Sequence, residues 1–442
     1  MNKIDLTKGK VAKVLIMLAL PIMGSSLLQF TYNLIDMLFV SNLGSWAATS
    51  VGSSSFYIGL GHSLAALIMI GTSIKVSHSV GKNNTDEMHD YIRTGMQLSL
   101  GVGLIYALIL LFFGKNFIGF LKLNDSFISQ EAYKYLAWSA PMLMFAFFNT
   151  LFSRVFASLG NTKKALKINA IGIALNIVLD YILIYPMKLG VSGAAIATLI
   201  ANIVMFVCYM RAGKGLFKFS FKKVDTSKMV EITKLGAPIA FQRVLFTLIN
   251  ILLARLISSF GDEAIGAQKI ALQIESVTYM VTGGLNGAVA SFTGQNFGAK
   301  KYDRLHKGYK IALGIGVVYA AISTAIFWVF PENLARVFVD DSPTVAIIVS
   351  YLEIIGFSQI FNAMEMVSNG YLTGVGKPRI PAYVSMIFTV LRLPMAYILT
   401  SIIGLPGIWW SISISTGLKG SVLLGIYLYR NNKNYKNSDI KN

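Results

Sequence analysis

Long runs almost free of charge recur from one end of this chain to the other, for example over 196–210, 311–330 and 383–391. Stretches of about 20 apolar residues have the length of a helix that crosses a bilayer. Only 13% of the 442 residues are charged, 55% are hydrophobic and the mean hydropathy is +0.61. Soluble domains carry about 25% charged residues, so the composition excludes an ordinary cytosolic enzyme. Bounding the apolar runs by polar, Gly and Pro turns gives twelve predicted transmembrane helices, at 14–40, 47–77, 92–114, 131–158, 166–186, 190–211, 234–260, 264–296, 308–330, 344–373, 380–403 and 406–429. The chain reads as an all-α polytopic membrane protein. The stretch behind MNKIDLTKGKVAK is too long for a signal h-region and has no small-residue cleavage site after it, so the first span is expected to stay in the mature protein.

The net charge of +19 takes its meaning from placement. With twelve spans, the segments that share a side with both termini hold 27 Lys and Arg, and the opposite loops hold five. The positive-inside rule then puts both termini in the cytoplasm, with the protein in the inner (plasma) membrane. The basic excess is a topology signal, and no nucleic-acid partner is expected. A single cysteine, Cys208, cannot form an intramolecular disulfide, and His62, His78, His89 and His306 lack the spacing of a zinc site.

The chain also repeats itself. A shift of 217 sets Pro21 on Pro238, Gly44 on Gly261, Gly81 on Gly298 and Asp86 on Asp303; a shift of 216 sets Gly160 on Gly376; a shift of 214 sets Gly190 and Gly193 on Gly404 and Gly407. Two six-helix bundles follow. Each holds an even number of spans, so they have the same orientation and should be related by an axis along the membrane normal. The expected organisation is an N-terminal six-helix lobe over 1–213, a cytoplasmic inter-lobe linker over 214–233 rich in lysine (Lys214, Lys218, Lys222, Lys223, Lys228), a C-terminal six-helix lobe over 234–430 and a cytoplasmic tail over 431–442. Two pseudo-symmetric lobes suit alternating access. The Gly-rich segments lack the GK[ST] ending of a phosphate-binding loop, which argues against ATP hydrolysis.

Charges inside the spans cost at least about 2.5–3.5 kcal/mol each at a helix centre and need a reason. Asp36 lies near the outer end of span one, in FTYNLIDMLFVSNLG. Asp180 lies about six residues before the outer end of span five, with Asn176 one turn away on the same face, and Thr198 is about eight residues into span six. These depths allow one shared pocket, about 6–12 Å below the outer surface of the hydrocarbon. Two carboxylates with an amide and a hydroxyl offer the hard oxygens that suit Na⁺, and a desolvated carboxyl beside a like charge can equally carry a proton. Either cation makes Asp36, Asn176, Asp180 and Thr198 a coupling site. The second half has no counterpart, because the repeat sets these positions on Leu253, Arg392, Ala396 and Ile412. It carries instead Arg243, Glu275, Glu365 and Arg392 within spans, where Glu365 matches Arg243 in depth and Glu275 matches Arg392. Structural ion pairing is the preferred reading of these four, with attraction of a cationic substrate as the functional one. Pro21 removes a backbone hydrogen bond in the middle of span one and favours a bend there.

ALPIM, DMLFVSNLG, ASLGNTKKALKINAIGIALNIVLDYILIY, GVSGAAIAT and SFTGQNFGAKKYDR together resemble the multidrug and toxic compound extrusion (MATE) family, nearest its DinF-like branch, over about 15–430. The resemblance implies a V-shaped pair of six-helix bundles exporting organic cations or other amphipathic compounds in exchange for H⁺ or Na⁺. It also implies that Asp36, Asn176, Asp180 and Thr198 bind that cation, that Tyr135 at the start of helix four is associated with the site, and that Pro21 is the bending proline. The acids that other branches carry in the second lobe fall near Phe246 and Asn362, so a cation site of their type is not expected there. The leading expectation is therefore a multidrug antiporter without a cofactor, with small-molecule substrates, acting as a monomer. The alternative is a flippase of a lipid-linked precursor, which would show a cavity lined by arginines. A membrane enzyme would need a nucleophile or base cluster, and the sequence offers none.

Overall fold

The structure is a computed structural model and describes residues 4–123, 125–217 and 225–439. Part of the expected linker, 218–224 with Lys218, Lys222 and Lys223, lies outside the described residues, as do residues 440–442 of the expected tail. All regular structure among the described residues is helical. The fourteen helices are α1 (Val11–Ser41), α2 (Ser45–Gly81), α3 (Thr85–Phe120), α4 (Ser126–Ser158), α5 (Thr162–Ile184), α6 (Gly190–Ala212), α7 (Thr226–Ser258), α8 (Asp262–Gly298), α9 (Tyr302–Val329), α10 (Pro331–Arg336), α11 (Ser342–Gly356), α12 (Gln359–Gly374), α13 (Arg379–Ile403) and α14 (Pro406–Asp439).

Short polar residues start several of these helices by accepting first-turn N–H groups that would otherwise go unpaired. Asn84 accepts from Glu87 N, Asp125 from Phe127 N, Asp225 from Lys228 N and Asp341 from Thr344 N. Among the described residues ten helices are long and apolar enough to cross a membrane, and α11 with α12 makes an eleventh if the bent pair is one span. α8, expected to be the eighth span, is 37 residues long but is not among the helices apolar enough to cross by this measure, so ten or eleven of the twelve expected spans are found among the described residues. The span expected to be continuous over 344–373 is bent by 54° at Phe357–Ser358. Side chains satisfy the carbonyls around the bend: Thr324 Oγ1 donates to Gly356 O, Trp328 Nε1 to Glu353 O and Ser358 Oγ to Ile355 O. Such replacement bonds are what allow a buried helix to break in an apolar setting.

The chain forms two compact units. One comprises Met1–Leu6 and Leu20–Ala240, the other Thr7–Ala19 and Phe241–Asn442. Two helices therefore divide between the units. The start of α1 belongs with the second half of the chain and the start of α7 with the first, and the divisions fall beside the repeat-related Pro21 and Pro238. The sequence repeat also has a backbone cause. Gly44 and Gly261, Gly160 and Gly376, and Gly190 and Gly404 all hold positive φ, between 54° and 117°, where a Cβ is disfavoured.

In the first unit, Ser50 and Ser54 of α2 donate to Ile128 O and Ala132 O of α4, and Phe148, Phe152, Phe156, Tyr209 and Phe217 fill the end where α4 finishes. The start of α7 lies backbone to backbone on α2. A Cβ at Gly71 would stand 2.1 Å from Ile232 O, and one at Gly236 1.8 Å from Leu67 O. Lys75 and Tyr91 both bond Glu231 there, and Lys228 pairs with Asp90. In the second unit the start of the chain is held correspondingly: Lys301 Nζ donates to Thr7 O at 2.8 Å, and Arg304 donates to Gly9 O and Lys8 O at 2.6 Å each. Its core gathers Trp409, Tyr351, Ile348, Leu352, Ile355 and Phe327.

Candidate functional site

All five residues expected at the coupling site lie in the first unit, and four helices bring them together. Asp36 stands on α1, Asn176 and Asp180 on α5, Thr198 on α6 and Tyr135 on α4. Asp36 and Asp180 interact electrostatically, and both act on Tyr135. Of the adjacent tyrosines it is therefore Tyr135 that faces the acids, while Tyr133 Oη points to Leu111 O. Sequence reasoning missed Tyr32. It lies one turn before Asp36 on the same face of α1, its hydroxyl is 3.3 Å from Thr198 Oγ1, and both aspartates act on it. Its four-residue spacing from Asp36 is the signal that could have found it.

The side of the site formed by α4 and α5 is closed, while Tyr32, Asp36 and Thr198 are half-buried. Asp180 is 0% exposed, Asn176 3% and Tyr135 9%. Asn176 adjoins Asp180, yet Asn176 Nδ2, both carboxyl oxygens of Asp180 and Asp36 Oδ1 are buried without a hydrogen-bond partner. Buried polar groups are almost always bonded, and four orphans in one enclosure, most of them oxygens, are unusual. Carboxylate, amide and hydroxyl oxygens are the donor set of a hard cation, and the same carboxylates can take up protons. Among the described residues no group of three His, Cys, Asp or Glu side chains converges.

The second unit holds a different cluster. Glu275 of α8 accepts from Tyr351 Oη at 2.5 Å. Arg392 of α13 donates Nε to Ser415 Oγ at 2.9 Å and interacts electrostatically with both Glu275 and Glu365. Glu365 of α12 pairs with Lys419 of α14 at 3.3 Å. The match of Glu365 with Arg243 expected from depth is not made, since Arg243 is exposed on α7 and Lys419 occupies the place of the partner. Lys419 was missed, although a lone lysine in the apolar run of α14 was a visible signal. Two acids and two bases, each at most 6% exposed, make the cluster formally neutral.

Helices of membrane length in two units, with ionisable side chains enclosed among them, define a polytopic membrane protein. The chain belongs to the MatE family, whose model matches residues 21–182 and again 238–398, once in each half. It is 27% identical over 428 residues, 94% of both chains, to the "Probable multidrug resistance protein YpnP" of Bacillus subtilis. It is 25% identical to the "Probable multidrug resistance protein NorM" of Thermotoga maritima, over 90% of this chain and 88% of that one. Among solved structures, a transporter described as an "outward-facing conformation of a multidrug resistance MATE family transporter" superposes with a TM-score of 0.92 at 21% identity over 99% of both chains. A Pyrococcus furiosus transporter of the MOP superfamily superposes with 0.90 at 21% identity, over 97% of this chain and 98% of that one.

Proposed function

We propose that the protein is a secondary multidrug efflux transporter that exports organic cations or amphipathic drugs in exchange for H⁺ or Na⁺, with the exchange made at Asp36 and Asp180. The observation that carries this reading is the set of unpartnered buried atoms, Asp36 Oδ1, both Asp180 oxygens and Asn176 Nδ2, in the unit formed by the first half of the chain. A cation bound there supplies the partner that the three carboxyl oxygens lack, the Asn176 amide N–H group being a donor to the carboxyl beside it, and its departure leaves two desolvated carboxyls that repel each other. Each state therefore favours a different packing of α1 against α5, and Pro21, inside α1, is the point at which α1 bends in response. Thr198 and Tyr32 complete the oxygen set, and Tyr135 closes the side toward α4. Both termini are cytoplasmic in this reading, 1–213 and 234–430 are the lobes that alternate, apart from residues 7–19, which belong with the second unit, and 234–240, which belong with the first, and the molecule works as a monomer in the inner membrane.

The names of YpnP and NorM support drugs as the cargo. A flippase of lipid-linked precursors is disfavoured because the buried bases of the second unit are matched by acids. Glu275, Glu365 and Arg392 serve in this reading as structural pairs. The test is ethidium transport in proteoliposomes under imposed proton or sodium gradients. Efflux is expected with one gradient and absent when that gradient is collapsed; efflux indifferent to both gradients contradicts the proposal.

A further inference from the structure

From Thr198, polar side chains follow one another toward the end of the first unit where α4 and α6 finish and α5 begins. One turn beyond Thr198 on α6, Asn202 donates Nδ2 to Thr198 O at 2.9 Å. Asn149 of α4 donates Nδ2 to Asn202 at 2.9 Å to the carbonyl and 3.0 Å to the side-chain oxygen. Asn149 is 7% exposed, and its own Oδ1 has no partner. Holding α4 to α6 needs only the amide hydrogens, whereas a buried acceptor left unpaired costs about 1–3 kcal/mol. A second polar step lies near the helix ends, where Tyr209 Oη donates to Asn169 Oδ1 at 2.8 Å. Between the two steps stands Phe206, in ring contact with Phe145, Phe148 and Phe152 at 5.4–5.9 Å.

We propose that Asn149 and Asn202 are the hydrated step by which the cation of the aspartate site reaches the inner face of the membrane, and that the Phe206 ring is the gate closed across that route. The inference rests on the coupling role of Asp36 and Asp180. The orphan Asn149 oxygen accepts from water or coordinates the passing cation, and the aromatic layer keeps the route dry until α4 and α6 part. Asn169 and Tyr209 receive the cation at the inner end.

The experiment uses the full chain in proteoliposomes, following protons with an entrapped pH dye and sodium with ²²Na⁺ while ethidium is transported. Asn149→Leu is expected to slow ethidium-coupled cation flux at least ten-fold with ethidium affinity within two-fold of wild type, and Asn149→Asp, which keeps the oxygen, to retain at least a third of the flux. Phe206→Ala is expected to raise the ethidium-independent leak of the same cation at least five-fold. Wild-type flux in Asn149→Leu, with flux abolished in Asp180→Asn, overturns the route and leaves the coupling site standing. Wild-type flux in Asp180→Asn removes both. Should Asn149→Leu fail to fold, the leak decides: Phe206→Ala no leakier than wild type overturns the gate and the route with it.

Discussion

At the scale of single residues, the two units treat buried charge in opposite ways. Asp36 and Asp180 lie together with unpaired oxygens, while Glu275, Glu365, Arg392 and Lys419 answer one another. Removing one member of a buried pair costs about 3–5 kcal/mol, and removing both often costs far less. Glu365→Gln or Lys419→Met alone is therefore expected to lower thermal stability markedly, and the double variant to recover most of it, as read by melting of the detergent-solubilised protein. Additive losses would contradict the pairing. Asp180→Asn is expected to leave melting unchanged or raised, since it removes an uncompensated carboxyl, while gradient-driven efflux falls at least ten-fold.

At the scale of elements, α1 and α7 are the exceptional helices, because each contributes its first part to one unit and the remainder to the other. The start of α7 is fixed on α2 through Gly71 and Gly236, where any side chain would overlap a carbonyl. Gly236→Ala is expected to cost about 1–3 kcal/mol through the backbone shift it forces, seen as a lowered melting temperature. Unchanged melting would show the contact to be looser than described. The Lys228 backbone N–H and its ammonium group hold the Asp225 carboxyl at the head of α7 below the usual carboxylate range. A lowered value contributes stability above the ordinary carboxylate range and loses it as pH falls through the lowered value. The protection of the first-turn amides of α7, measured against their intrinsic exchange rate at each pH, should accordingly fall at low pH in wild type and be low at every pH in Asp225→Ala.

At the scale of the molecule, the alternation we propose places its strain where α1 and α7 pass from one unit to the other, beside Pro21 and Pro238. Pro21→Ala restores a backbone bond at the first of these points, and it is expected to slow ethidium efflux several-fold with ethidium affinity unchanged. Much of this architecture was legible in the sequence, because span length and turn glycines each follow from one strong local constraint. The repeat glycines mark positive-φ turns, and Asp36, Asn176, Asp180 and Thr198 stood out because polar groups in apolar runs are costly. What stayed hidden depends on which side chains meet across helices. Lys419 in place of Arg243 beside Glu365, Tyr32 beside Thr198, and the break at Phe357–Ser358 capped by Thr324 and Trp328 are long-range pairings that depth along a helix does not specify.

Cation release on cargo binding tests the central claim most directly. Ethidium added to the purified protein in unbuffered detergent solution, with protons read by a pH dye and sodium by an ion-selective electrode, is expected to release one of these cations from wild type. The Asp36→Asn, Asp180→Asn double variant is expected to release none. Equal release from both proteins would contradict the exchange of cation for cargo at the two aspartates.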